Sequence, residues 1–179
     1  ASLDTPDVNL VEIELPYASD LVGKRYAPPN TCWSLCAGLV GPKSRGELRL
    51  KSAKPADRPI VDARFLSHPD DVKALAYGIE LAREIGNSSA LSAFVKREVV
   101  PGQKLSGPDM ENFVRDGATT YFHQAGTCRM GKDNQAVVDA KLRVNGVKNL
   151  RIADSAIMPR IASVATMASR ETPSCVACA

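Results

Sequence analysis

Apolar residues recur at helical spacing only as far as about Gly117; beyond it they come as short pairs between polar turns. Before that point Val72, Leu75, Ala76, Ile79 and Ala82 fall on one helical face. Ser67 is placed to cap this helix, with Pro69 and Asp70 in its first turn, and Gly86-Asn87 is a stop. A second helix is expected from Ser88 or Ser89, carrying Leu91, Phe94 and Val95 until Pro101-Gly102. A third is expected over Pro108–Arg115, with Met110, Phe113 and Val114 inward. After Gly117 the apolar groups are Val137-Val138, Leu142 with Val144, and Leu150 with Ile152. The change predicts two lobes, 1–117 and 118–179.

The strands precede the helices. Within Val8–Leu15, Val11, Ile13 and Leu15 alternate with Glu12 and Glu14, as in a half-buried strand, until Pro16. Lys24–Asn30, with two prolines, reads as a loop. Thr31–Val40 is mostly apolar and reads as a strand buried on both faces. Gly46–Ser52 alternates again, and Ile60–Ala63 is a short strand after a polar turn. The first lobe is therefore α+β, an antiparallel sheet backed by helices.

Composition removes several function classes. No apolar run approaches the roughly 18 residues of a membrane span. The net charge of +3 is scattered, and aromatic residues at 5% are too sparse for a base-stacking platform, so a nucleic-acid partner is not expected. The chain begins at Ala1, and Ser2–Pro6 is polar, unlike a secretory signal. This start reads as the cut or processed end of something longer, the alternative being a small protein that has lost its Met. The true N-terminus is needed to fix the compartment, and a cytoplasmic one is the default expectation. Five cysteines, an odd number without regular spacing, do not make a disulfide framework. Cys175 and Cys178 form a C-x-x-C with no second matching pair, so no metal is expected and loose-tail thiols are the ordinary reading.

Two histidines exist. His68, in S-H-P-D, reads as a solvated capping residue. His123, in Y-F-H-Q-A-G-T-C-R-M-G, stands beside Gly126, Thr127, Cys128 and Gly131. Low-bulk backbone next to a histidine suits a site that a planar group approaches. Arg45 reads as tied to a carboxylate or a turn carbonyl, and Arg129 as half of a surface ion pair.

Four stretches carry a resemblance: P-K-S-R-G-E-L-R-L from Pro42, H-Q-A-G-T-C-R-M-G from His123, V-V-D from Val137, and L-R-V-N-G-V-K-N-L-R-I-A-D-S-A-I-M-P over Leu142–Pro159. In this order they resemble the C-terminal part of the glucose–methanol–choline (GMC) flavin oxidoreductases. The choline-dehydrogenase-like and fatty-acid-photodecarboxylase-like branches match best. The resemblance implies a six-stranded substrate lobe backed by helices, of which 1–117 is the C-terminal half. Residues 118–179 then return to a Rossmann-type FAD domain whose N-terminal part is absent. It places His123 at the flavin as acid/base, Asp154 and the Ser155 backbone by the FAD pyrophosphate and ribityl chain, and Thr166 and Met167 at the pyrimidine edge. The implied reaction is hydride transfer from a small-molecule alcohol to flavin.

Departures from that pattern set the alternatives. No G-x-G-x-x-G dinucleotide fingerprint is present, so tight FAD binding by this chain alone is not expected; an N-terminal FAD-binding portion, on the same or a partner chain, is implied. Ala165, in V-A-T-M, stands where the family has a second histidine or asparagine, and alanine neither donates a hydrogen bond nor takes a proton. Ser155-Ala156 inverts the family's usual order after the aspartate, and Ser169–Ala179, with Pro173 and two cysteines, lacks the apolar stripe of the family's terminal helix. A catalytically silent remnant acting as an interaction module, or a lyase or photodecarboxylase of the same fold, therefore stands beside the oxidoreductase reading.

Overall fold

The computed structural model describes residues 6–120 and 122–162. The described residues are α+β, with antiparallel sheets and three α-helices, and the chain divides into two compact units. The first runs to Leu39 and resumes over Phe65–Thr119; the second is Val40–Arg64 with the residues from Thr120. Residues 40–64 thus group with the later segment.

In the first unit β1 (Val8–Ile13) pairs antiparallel with β2 (Ser34–Leu39), from Val8 opposite Leu39 to Ile13 opposite Ser34. β2 is half-buried along most of its length, with only Gly38 fully enclosed, so it is not covered on both faces as its apolar run suggested. Between them lies α1 (Asp20–Tyr26), which the sequence reading left partly as loop. A seven-residue helix with Gly23 inside it and only Val22 buried is too short for periodicity to register. Its ends hold it. The Ser19 hydroxyl accepts from Val22 N–H, Ala27 closes it in the left-handed region, and Arg25 meets Asp116 at 2.6 Å.

The long helix α2 (Pro69–Gly86) has the expected length, but its N-cap is His68, not Ser67. His68 Nδ1 accepts from Asp70 N–H at 3.2 Å. α2 lies so close on the sheet that a Cβ at Gly78 would stand 2.9 Å from Ala37 Cβ and 2.8 Å from Val8 Cγ1. α3 (Gly107–Gly117) supplies Met110 and Val114 to a core with Leu66 and Val72, flanked by Leu39, Leu75, Ile79 and Phe113.

The helix expected after Ser88 shrinks to a single 3₁₀ turn, Ser89–Leu91, and Phe94 points into solvent. The competing structure is a clasp. Glu98 accepts from Arg83 Nε at 2.8 Å, Asn87 Nδ2 at 2.8 Å and Gly102 N–H at 3.2 Å, which ties this loop to the end of α2. Burial, the strongest single influence on the Glu98 carboxyl, pushes its pKa up. The bonds from Arg83, Asn87 and Gly102 outweigh it and hold the group below the ordinary range.

In the second unit β3 (Glu47–Arg49) pairs antiparallel with β4 (Ile60–Asp62). The described residues thus hold two separate two-stranded sheets. From Thr120 the chain folds through isolated bridges around Val138, whose side chain is fully enclosed. Short pairs of apolar residues serve here because each strand-like piece contributes one or two inward side chains before a turn.

Candidate functional site

The His123 loop is set by Thr120. Its hydroxyl accepts from Phe122 N–H at 3.1 Å and from Gln124 Nε2 at 2.7 Å. Phe122 is thereby held at φ 60°, with its ring largely exposed, and His123 follows it half-buried. Thr120 was not singled out from sequence; its only signal is a hydroxyl residue two and four positions before residues it bonds.

Beyond His123 the chain runs alongside the Asp154–Pro159 stretch. Cys128 N–H donates to Ala156 O at 3.0 Å and Met130 N–H to Ile157 O at 2.8 Å. Ser155 Oγ donates to Gln124 O at 3.3 Å, beside the histidine. Gly126, at φ 88°, turns the backbone between these bonds, and a Cβ there would meet Met158 O at 3.2 Å. Two backbones therefore pass with no side chain between them, which only glycine permits at that angle.

The second stretch is rigid for local reasons. Asp154 caps the 3₁₀ turn Ser155–Ile157, its Oδ1 accepting from Ala156 N–H at 2.6 Å. Ile157 is buried beneath the turn. The structure thus brings His123, Asp154 and Ser155 into one unit, on two stretches that bond to each other. Thr166 and Met167, with Ala165, lie outside the described residues, as do Cys175 and Cys178.

The two arginines have ordinary tasks. Arg45 Nη1 donates to Pro42 O and Ser44 O. Arg129 grips both oxygens of Asp133, at 2.6 and 3.0 Å. That guanidinium, with Gln135 N–H, holds the Asp133 carboxyl down at about 2. Among the described residues no cluster of His, Cys, Asp and Glu is arranged to hold a metal. A groove of about 550 Å³ in the first unit, along Val72, Ala76, Tyr77, Leu105 and Met110, contains none of the expected site residues.

Residues 42–170 match the family model described as GMC oxidoreductase. The chain belongs to the GMC oxidoreductase family. Within this family it is 44% identical over 121 residues to an alcohol dehydrogenase [acceptor] of Pseudomonas putida, covering 67% of this chain and 22% of that protein. It is 41% identical over 164 residues to an oxygen-dependent choline dehydrogenase of Brucella anthropi, covering 90% of this chain and 29% of the other. Among solved structures it resembles pyridoxine 4-oxidase from Mesorbium loti, with a TM-score of 0.81 and 33% identity over 89% of this chain and 31% of that one. An FAD-dependent oxidoreductase from Chaetomium thermophilum matches with a TM-score of 0.69 and 28% identity, over 82% and 27% of the two chains. This GMC chain spans between a fifth and a third of the length of these proteins and corresponds to a C-terminal portion. No helix among its described residues is long and apolar enough to cross a membrane.

Proposed function

We propose that the chain is the C-terminal portion of an FAD-dependent oxidoreductase that takes hydride from an alcohol CH–OH group, with His123 as acid/base. The observation that carries this reading is the pairing of the His123 stretch with the Asp154–Pro159 stretch, closed over a bare Gly126. A flat ring needs a wall without side chains next to a group that handles a proton, and this pairing fits that need.

Bound FAD would supply the hydride acceptor. The chain's own residues do the rest. The His123 imidazole takes up and holds the hydroxyl proton, a ring nitrogen serving as general base. The Thr120 bonds keep its loop in place. Asp154 and the Ser155 backbone face the pyrophosphate and ribityl chain in this reading, and Thr166 and Met167 offer N–H groups to the pyrimidine edge. In this reading residues 1–117 belong to the substrate lobe and 118–179 return to the FAD domain. The phosphate-holding fingerprint comes from an N-terminal portion outside these 179 residues, so FAD is not held tightly by this chain alone.

One observation favours a second reading. Ala165 stands where the family has a histidine or asparagine, which favours a catalytically silent remnant or interaction module; a same-fold lyase or photodecarboxylase is a separate third reading. Reconstitution separates them. The chain is mixed with FAD and the part of the Brucella anthropi relative outside its match, and choline and benzyl alcohol are added without oxygen. Flavin uptake with bleaching by an alcohol, lost in His123→Ala, supports the oxidoreductase. Uptake without bleaching favours the silent or lyase forms, and turnover of fatty acids only under blue light favours the photodecarboxylase.

A further inference from the structure

Of seven asparagines, Asn145 alone is followed by a glycine. A side-chain amide can be attacked by the backbone nitrogen of the next residue, and glycine leaves that nitrogen least crowded and its backbone most adaptable. A fold permits the attack only where the nitrogen is free and uncovered.

The turn Val144–Val147 meets both conditions. It is closed by Val147 N–H donating to Val144 O at 3.3 Å, with Gly146 in its third position at φ 77°. Asn145 and Gly146 are both exposed. Apart from chain neighbours, nothing lies within 4 Å of where a Cβ on Gly146 would stand. Gly146 N–H has no hydrogen-bond partner among the described residues. The other asparagines differ. Asn87 precedes the small Ser88, but Ser88 N–H is held by Ile85 O at 3.1 Å. Asn134 precedes Gln135, whose N–H is held by Asp133 Oδ1 at 2.9 Å. Asn9 lies in β1 and Asn112 in α3, and Asn30 and Asn149 precede the bulkier Thr31 and Leu150.

The same amide is one the fold uses. Asn145 Nδ2 donates to the carbonyl of buried Ala136 at 2.8 Å, and Asn145 N–H to Val137 O at 2.9 Å. Val137 N–H donates in turn to Arg129 O at 3.0 Å, and the neighbouring Val138 is fully enclosed. The turn is thereby tied to the stretch that follows His123.

We propose that Asn145 is a site of spontaneous covalent modification, in which its side chain cyclises with Gly146 and opens to isoaspartate or aspartate. Gly146 N–H gives its proton to base and the nitrogen attacks Asn145 Cγ. The N–Cγ bond forms, the Cγ–Nδ2 bond breaks, and Nδ2 takes up a proton and leaves as ammonia. Water then opens the cyclic imide. Opening at the former backbone carbonyl gives isoaspartate, and opening at the former side-chain carbonyl gives aspartate. Nothing is oxidised or reduced. Either product carries a carboxylate that only accepts hydrogen bonds, so Ala136 O loses its donor and faces a negative charge. Modification therefore loosens the second unit. The proposal stands apart from the flavin reading.

The test holds the full chain, folded, in neutral and mildly alkaline buffer, and maps aspartate and isoaspartate residue by residue by peptide mass spectrometry. Methyl transfer from S-adenosylmethionine by an isoaspartate O-methyltransferase confirms the isoaspartate. Product at Asn145 should exceed that at Asn87 at least tenfold and should form faster in the alkaline buffer. Gly146→Ala should slow it at least tenfold. Ser88→Gly should leave Asn87 slow, because the N–H at that position stays bonded to Ile85 O. Asn145→Asp should unfold at lower urea, with a folding constant reduced on the order of tenfold. Product spread evenly over the asparagines overturns the site, as does product at Asn145 only after the chain is unfolded in urea. Asn87 reacting as fast as Asn145 in Ser88→Gly overturns the structural basis, since sequence alone would then decide. An unchanged midpoint in Asn145→Asp overturns the loosening of the second unit.

Discussion

Ser155 donates its hydroxyl to the carbonyl of Gln124 across 3.3 Å, joining positions 31 residues apart in sequence and fixing the loop that carries His123. The Cys128–Ala156 and Met130–Ile157 backbone bonds extend that junction along both strands of chain. Ser155→Ala removes one bond of the junction and is expected to cost about 0.5–1.5 kcal/mol in urea unfolding. In the reconstituted complex it should lower turnover less than His123→Ala does. Equal losses would mean that the serine itself meets the reacting groups.

Gly126→Ala tests the bare wall. At φ 88° an L-residue carries a penalty of about 1–2 kcal/mol, and the new methyl is also crowded by Met158 O. Denaturant unfolding should show a loss of that size or more. An unchanged midpoint would show that the two stretches do not approach each other as described.

Gly78→Ala separates helix propensity from packing. Alanine inside α2 gains up to about 1 kcal/mol of propensity. Against it stands the Ala37 methyl, 2.9 Å from the new carbon and on a strand that cannot step aside, an overpacking cost of about 1–3 kcal/mol. The expected result is net destabilisation in thermal or urea unfolding. A more stable variant would contradict the close seating of α2 on the sheet.

Acid should act partly through Glu98. Its folded pKa is lowered, so its contribution is complete above the unfolded value of about 4.3 and is lost as pH falls through the folded value. Asp133 and Asp139, each held near 2 by Arg129 and Arg143 respectively, behave in the same direction over a window reaching lower. Unfolding midpoints measured from pH 6 down to about 2.5 should fall more steeply for wild type than for Glu98→Gln. Parallel curves would remove the clasp from the account.

The elements that could be read in sequence are those with a period. α2 and α3 each bury one stripe, and in β1 Glu12 is the exposed position between half-buried Val11 and Ile13. α1 was missed because its stability comes from Asp116 and Phe113 on α3, contacts that no local window contains. The helix expected after Ser88 failed for the same reason, since the Glu98 clasp settles that loop. The cap passed from Ser67 to His68 because an imidazole nitrogen can accept as a hydroxyl does. At the site, His123 stood out through the glycines and small residues around it, and Asp154 and Ser155 only through the family resemblance. The Thr120 bonds and the grouping of residues 40–64 with the later segment depend on three-dimensional closure and left no local mark.

The most direct measurement follows the flavin absorbance band when an alcohol is added, without oxygen, to the chain reconstituted with FAD and the relative's remaining portion. The account predicts that the band bleaches with wild type and persists over the same period with His123→Ala. Bleaching at an undiminished rate in His123→Ala would contradict it.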